Sequence, residues 1–511
     1  MTDSGPTVAT GAGHLRGERA GDVAVFRGIP YAAPPIGPLR FRPPAACVPW
    51  DGVREARSFG SIAHQLPNDL ETLQGRLDLP QDEDCLTLNI WTPDTDGGRR
   101  PVMVWIHGGG YLTGTGAADW FDGTSFATHH DVVVVTINYR LAVLGYLHLA
   151  GLAPDEEGSG NCGLLDQIAA LRWVADNIAA FGGDPGNVTV FGESAGAMST
   201  GVLLGTPAAA GLFHRAILQS GAAANVTSAD DATAITTAIL TELGLGADPD
   251  GVAQLRQIPA SEIMTAYIGV VMRQPPDMAA AHIVPTFAPV VDGVVLPTEP
   301  LRAIREGASS SVPILIGTNR DEMEIMRLMD SSIYAFDDDE MARRATRLFE
   351  ARATEALTLY RGPLGGTSDN PWTAVDTDRM FLMPAIELAE AHLAAGGATW
   401  LYQFNWTTTA FGGRMGAVHT LEIPFVFNTF TLGASPELTG GAPAHVQPLG
   451  DRMHRTWAHF ARHGDPSHDG IPAWPAYEPP VRATMLFDTE CAVVPDPAQA
   501  RRTFWRSLPG R

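Results

Sequence analysis

Two segments of the chain, Val102-Met103-Val104-Trp105-Ile106 and Val132-Val133-Val134-Val135-Thr136-Ile137, are apolar almost without interruption. A strand with one wet face alternates apolar and polar residues, whereas a continuous run has both faces covered. Such strands belong to a parallel sheet with helices on both sides. Shorter runs recur at Val188–Phe191, Ala216–Gln219, Val312–Gly317 and Thr399–Phe404. Pro313 fits the third of these only near its start. Gly163–Ala180 carries apolar residues at helical spacing (Leu165, Ile168, Ala169, Trp173, Ile178), and Met453–His463 reads as an amphipathic helix.

The flanks are simpler. Thr7–Thr10, Val23–Phe26, Cys85–Trp91 and Thr484–Phe487 read as strands, and Gln65–Asp84 as an irregular loop. Residues from about 225 to 385 mix helical segments with the one clear strand at 312–317. There is no repeat, low-complexity tract or linker, so the 511 residues fit one large α/β domain with helical insertions better than several domains.

A net charge of −23 opposes binding to nucleic acid or an anionic membrane. All 34 basic residues are arginine, which excludes a lysine base or a Schiff base. No run of about 18 apolar residues is present, so no spanning helix is expected. Met1-Thr2-Asp3-Ser4-Gly5-Pro6 has no signal-like basic or apolar region, which points to a cytoplasmic protein or a processed form. Cys47, Cys85, Cys162 and Cys491 show no metal or redox spacing and read as buried thiols. The sequons at Asn187, Asn225 and Asn405 read as chance occurrences, the first because it leads into a buried strand.

Chemistry enters at Phe191-Gly192-Glu193-Ser194-Ala195-Gly196, where a strand gives way to helix-compatible sequence. A serine hydroxyl is a weak nucleophile unless a sharp strand-to-helix turn exposes it beside a base and an oxyanion hole. His107-Gly108-Gly109-Gly110, directly after the strand at 102–106, offers unobstructed backbone N–H groups. With the N–H of Ala195 these form the expected hole. Chain order places the acid next and the histidine last. His419, in a loop after the strand at 399–404, fits the base, and His463 is its main competitor, although it reads as a helix end. Asp321 and Glu322, after the strand at 312–317, both fit the acid, and the pattern does not choose.

Together these segments resemble the type-B carboxylesterase family, which includes bacterial para-nitrobenzyl esterases, cholinesterases and the non-catalytic neuroligins. The resemblance spans nearly the whole chain. It is carried by Gly28-Ile29-Pro30-Tyr31, Glu83-Asp84-Cys85-Leu86, His107 to Gly110, Asn138-Tyr139-Arg140-Leu141, Gly163-Leu164-Leu165-Asp166-Gln167, Gln219-Ser220-Gly221, Asn319-Arg320-Asp321-Glu322 and His419-Thr420-Leu421-Glu422. It implies an α/β-hydrolase fold over residues 1–511, a large mostly parallel sheet flanked by helices, with the insertions within about 225–385 forming part of the substrate pocket. It also implies the triad Ser194, Glu322 and His419, and oxyanion donors at Gly109, Gly110 and Ala195. Glu193 and Ser220 are implied as residues supporting that group from outside it.

The expected activity is hydrolysis of a small carboxylic ester through an acyl-enzyme, with no metal or organic cofactor, by a monomer or small homo-oligomer. Amides, carbamates and lactones remain open to the same triad. A neuroligin-like binding protein is disfavoured because all three triad positions and the glycines are retained. Where secreted relatives pair the cysteine at Cys85 with an earlier one, this chain has Ala63, which suits a reducing compartment. Gln65–Asp84 lacks the aromatic residue with which cholinesterases hold choline, so a choline ester is not expected. Met272, Met278, Met323, Met326 and Met329 are candidates for an adaptable apolar pocket suited to uncharged short- to medium-chain or aromatic esters.

Overall fold

The computed structural model describes residues 5–75, 78–273, 287–362, 370–441 and 443–508. Its centre is an eleven-stranded sheet. In chain order the strands are β1 (Glu18–Ala20), β2 (Val23–Pro30), β3 (Thr87–Thr92), β4 (Arg100–Ile106), β5 (Val133–Ile137), β6 (Gly183–Glu193), β7 (Arg215–Gln219), β8 (Ile314–Asn319), β9 (Thr399–Phe404), β10 (Ala483–Phe487) and β11 (Ala492–Pro495). Across the sheet they run β11-β10-β9-β8-β7-β6-β4-β5-β3-β2-β1. Pairings from β10 through β9, β8, β7, β6 and β4 to β5 are parallel, and those at both margins are antiparallel.

The continuous apolar runs have a direct cause here. Along β4, Val102, Val104 and Ile106 enter one core, while Met103 and Trp105 enter the other. β5 divides in the same way, with Val133, Val135 and Ile137 on one face and Val134 on the other. Helices Cys162–Asn177, Ala195–Leu204 and Met383–Ala394 cover the first face. Thr124–His130, Ile423–Phe427 and Pro443–His463 cover the second. Each fully buried aliphatic side chain contributes about 1.5–3 kcal/mol, so a strand buried on both faces gains nearly twice what a half-wet strand gains.

Several boundaries differ from expectation. The helix expected from Met453 starts at Pro443 and runs through Pro448, which had concealed its first half. The helix expected over 163–180 is an α-helix to Asn177 followed by a 3-10 turn, Ile178–Phe181. Gln65–Asp84, expected to be irregular, contains the helix Asp69–Gln74, too short for its periodicity to be read. All four cysteines are free, and only Cys85 and Cys162 are buried, whereas Cys47 and Cys491 are half-buried. Ala63 and Cys85 both line one small cavity. No helix among the described residues is long and apolar enough to cross a membrane.

Candidate active site

Strand β6 ends at Glu193 and the next helix begins at Ala195, leaving Ser194 alone between them at φ 54°, ψ −124°. A non-glycine residue held there costs about 1–3 kcal/mol and needs outside support. Ser194 N–H donates to the Gln219 carbonyl at 2.9 Å, and the Ser194 carbonyl accepts from Met198 N–H at 2.8 Å. The turn also packs against the end of β4. A Cβ on Gly192 would lie 2.6 Å from the Ile106 carbonyl oxygen, and one on Gly196 would overlap it.

The loops after β8 and β9 meet beside this turn. His419 Nδ1 lies 2.7 Å from Glu322 Oε2, and Glu322 Oε1 accepts from Asn319 N–H at 2.7 Å. Asp321 is turned elsewhere: its Oδ2 accepts from Ala417 N–H at 2.9 Å and from the Arg320 guanidinium. Geometry therefore separates two neighbours that the sequence pattern could not. His463, the other histidine considered, is exposed at the end of its helix.

On its other edge, His419 Nε2 lies 3.1 Å from Glu193 Oε1. Burial by itself would lower the imidazole pKa. Glu193, then Glu322, then the more distant Glu422 outweigh it and push the pKa up to about 9. The ring of Phe381 leans over the imidazole, with centroids 4.8 Å apart. Phe381 and Met380 sit on a π-helical turn, Asp378–Leu382, inserted between two α-helices. Such turns are frequent at functional sites, and nothing in the sequence announced this one.

The loop after β4 adopts conformations open to glycine, with φ +99° at Gly109 and +62° at Gly110. The Gly109 carbonyl accepts from Leu112 and Thr113 N–H groups, both at 3.0 Å, which curls the loop back. Among the described residues, no group accepts a hydrogen bond from the N–H of Gly109, Gly110 or Ala195. His107 stacks on Tyr139, whose hydroxyl donates to the His107 carbonyl at 2.9 Å. Burial lowers the His107 pKa to about 4, so this ring stays neutral and structural.

A cavity of about 350 Å³ joins these parts. Gly109, Gly110, Glu193, Ser194, Glu322 and His419 line it, with Leu66, Leu112, Met264, Tyr267, Met326 and Phe381 among its other walls. Of the methionines considered, Met323 and Met326 line it, Met272 and Met329 face solvent, and Met278 lies outside the described residues. Met264 and Met380 are lining residues that sequence reasoning missed. Ala195 is buried at the start of its helix and Ser220 is buried at the end of β7, so neither forms a wall. Ser220 has φ 54°, and its N–H donates to the Gly317 carbonyl at 2.8 Å, repeating one strand over the way Ser194 is held. The segment after Gln65 contributes Leu66, Pro67, Asn68 and Gln74 and no aromatic ring.

The carboxylesterase family model matches residues 4–505. Para-nitrobenzyl esterase of Bacillus subtilis is 38% identical over 498 residues, covering 97% of each chain. Phenmedipham hydrolase of Pseudarthrobacter oxydans is 38% identical over 496 residues, covering 96% of each. Among solved structures, a carboxylesterase of Geobacillus stearothermophilus superposes with a TM-score of 0.85 at 41% identity, covering 98% of this chain and 99% of its own. An esterase of Clostridium hathewayi described as hydrolysing aliphatic aromatic polyesters gives a TM-score of 0.79 at 34% identity, covering 99% of both chains. Matched along its length in sequence and in fold, the chain belongs to the carboxylesterase family and is a carboxylic ester hydrolase with the α/β-hydrolase fold.

Proposed function

We propose that the protein hydrolyses uncharged short- to medium-chain or aromatic esters, with Ser194 as nucleophile, His419 as general base and Glu322 as its orienting acid. The observation that carries this reading is His419 held by Glu322 in the cavity that also exposes Ser194. Ser194 Oγ attacks the ester carbonyl and passes its proton to His419 Nε2. The Gly109, Gly110 and Ala195 N–H groups receive the oxyanion. His419 then protonates the departing alcohol, and water releases the acid by the same steps.

The whole chain acts in this reading as one domain. Its insertions within about 225–385 supply Met264, Tyr267, Met323, Met326, Met380 and Phe381 to the pocket wall. Substrate charge follows from those walls. They hold two carboxylates, Glu193 and Glu322, and no arginine among the described residues, so an anionic acyl chain would be desolvated without a partner. The test is a panel of p-nitrophenyl esters varying acyl length and charge, with Ser194→Ala as blank. Neutral butyrate-sized and benzoate esters should exceed carboxylate-bearing analogues in kcat/KM by about tenfold or more. Equal rates for the anionic series would refute this reading of the pocket.

A pH dependence follows from the geometry at His419. A base must be neutral to accept the serine proton, so activity rises with pH through the imidazole pKa. Two flanking carboxylates hold that pKa above the ordinary 6.5. The acid limb of kcat/KM should therefore lie above 6.5, and Glu193→Gln should move it to lower pH by removing one charge. Rate profiles of both proteins decide the point, and a limb that stays in place or rises in the variant would contradict it.

A further inference from the structure

Beneath the cavity, five hydrogen bonds form one unbroken path from the turn carrying Ser194 to the ring of His419. Ser194 N–H donates to the Gln219 carbonyl at 2.9 Å. The Gln219 side-chain amide donates to Glu422 Oε1 at 3.0 Å. Asn319 Nδ2 donates to Glu422 Oε2 at 2.6 Å, and Asn319 N–H donates to Glu322 Oε1 at 2.7 Å. Glu322 Oε2 then meets His419 Nδ1 at 2.7 Å. Gln219, Asn319, Glu322 and Glu422 are all buried, and neither Gln219 nor Glu422 lines the cavity.

The polarity of the path is dictated from outside. The Trp457 indole, which only donates, reaches Gln219 Oε1 at 2.9 Å and so turns the amide nitrogen toward Glu422. The Val418 carbonyl, which only accepts, takes a second bond from Asn319 Nδ2 at 2.7 Å and fixes that amide too. Glu422 thus faces a donor at each oxygen, and no described group accepts from either oxygen. Only a group that accepts at both ends completes the path. A carboxamide would turn an N–H toward one of the two donors.

We propose that Glu422 and Gln219 are positioning residues for the esterase reaction: Glu422, as a carboxylate, ties the strand end that holds Ser194 to the two loops that hold Glu322 and His419. The proposal rests on the assignment of Ser194, Glu322 and His419 given above. Trp457 extends the tie to the long helix Pro443–His463 on the far face of the sheet. Glu422 also acts by charge. His419 is surrounded by Glu193, Glu322 and Glu422, and each favours its protonated form. Glu422 itself faces Glu322, His419 and the Tyr402 phenol. Burial and then Glu322 push its own carboxyl up, and the Asn319 and Gln219 donors oppose that shift. Both Glu422 oxygens accept from amide N–H groups, and that geometry favours the carboxylate.

The experiment compares Glu422→Gln and Trp457→Phe with the unaltered protein and with Ser194→Ala. The readouts are kcat, KM, Tm and the pH profile on a neutral p-nitrophenyl ester. Glu422→Gln keeps the shape and removes both the charge and one acceptor. It should lower kcat about 10–100-fold with KM within about twofold, as for other residues that orient a reacting group from outside it. Its acid limb should also move to lower pH. Trp457→Phe removes the donor that orients Gln219 together with part of a buried ring, so Tm should fall somewhat, while kcat should fall about two- to tenfold with the acid limb unmoved. A folded Glu422→Gln with unaltered kcat, or with a lower kcat and an unshifted limb, overturns the proposal. If that variant does not fold, a folded Trp457→Phe with full kcat overturns it instead. Activity retained by Ser194→Ala would count against the triad assignment itself, which keeps the two failures distinct.

Discussion

Ser194→Ala should lower kcat for a p-nitrophenyl ester by at least ~10³-fold while leaving KM close to its starting value. The substitution removes one oxygen from a cavity of about 350 Å³ whose other walls stay in place, so ground-state binding is preserved. In the proposed mechanism, what disappears is the covalent route. Without Oγ no acyl-enzyme forms, and the residual rate is what the oxyanion donors and substrate binding give to direct attack by water. Folding should be unaffected. Serine and alanine both carry a Cβ, so the φ of 54° is equally strained in either, and the bonds that hold the turn are made by backbone atoms. The check is steady-state kinetics together with labelling by an organophosphonate, which should modify the unaltered protein at Ser194 and leave the variant untouched. Turnover near normal in the variant would remove Ser194 from the mechanism.

Glu322→Gln should be nearly as damaging, at about 10³–10⁴-fold in kcat, for a reason that the surrounding bonds make specific. Asn319 N–H donates to Oε1, so the carbonyl oxygen of the new amide takes that place and its NH₂ is turned toward His419 Nδ1. An imidazole that accepts at Nδ1 carries its proton on Nε2, the atom that takes the proton of Ser194 in the proposed mechanism. The charge opposing the imidazolium is lost at the same step. Asp321→Asn serves as the control. Its side chain supports Ala417 and Arg320 and does not meet the imidazole, so its effect should appear in Tm more than in kcat. If Asp321→Asn abolished turnover and Glu322→Gln spared it, the roles of the two carboxylates would have to be exchanged.

The parts legible from sequence were those whose signal lies within a few residues. The strand Thr399–Phe404 is legible to its ends, and β4 and β5 to within two residues, because burial on both faces leaves a short continuous run rich in β-branched and aromatic residues. The elbow at Ser194 was legible because strand, glycines and helix must be consecutive for the turn to exist. The helix around Pro448 and the short helix Asp69–Gln74 were not, one because proline masks periodicity and the other because six residues cannot show it. Methionine placement was half legible. Spacing gives a face of a helix, but whether that face meets the cavity or solvent depends on a partner elsewhere, as the contrast between Met326 and Met272 shows.

Taken alone, the sequence determined the sheet, the turn at Ser194 and a short list of groups able to do acyl chemistry. These follow from periodicity and backbone sterics, which act between neighbours in the chain. The tertiary structure decided which polar groups meet. Gln219 finds Glu422 across 203 residues and Trp457 across 238, and His419 finds Glu322 across 97. A hydrogen bond depends on distance and direction in space. Those were set only when parallel strands from β6 to β9 aligned their ends and brought the loops that follow them to one place.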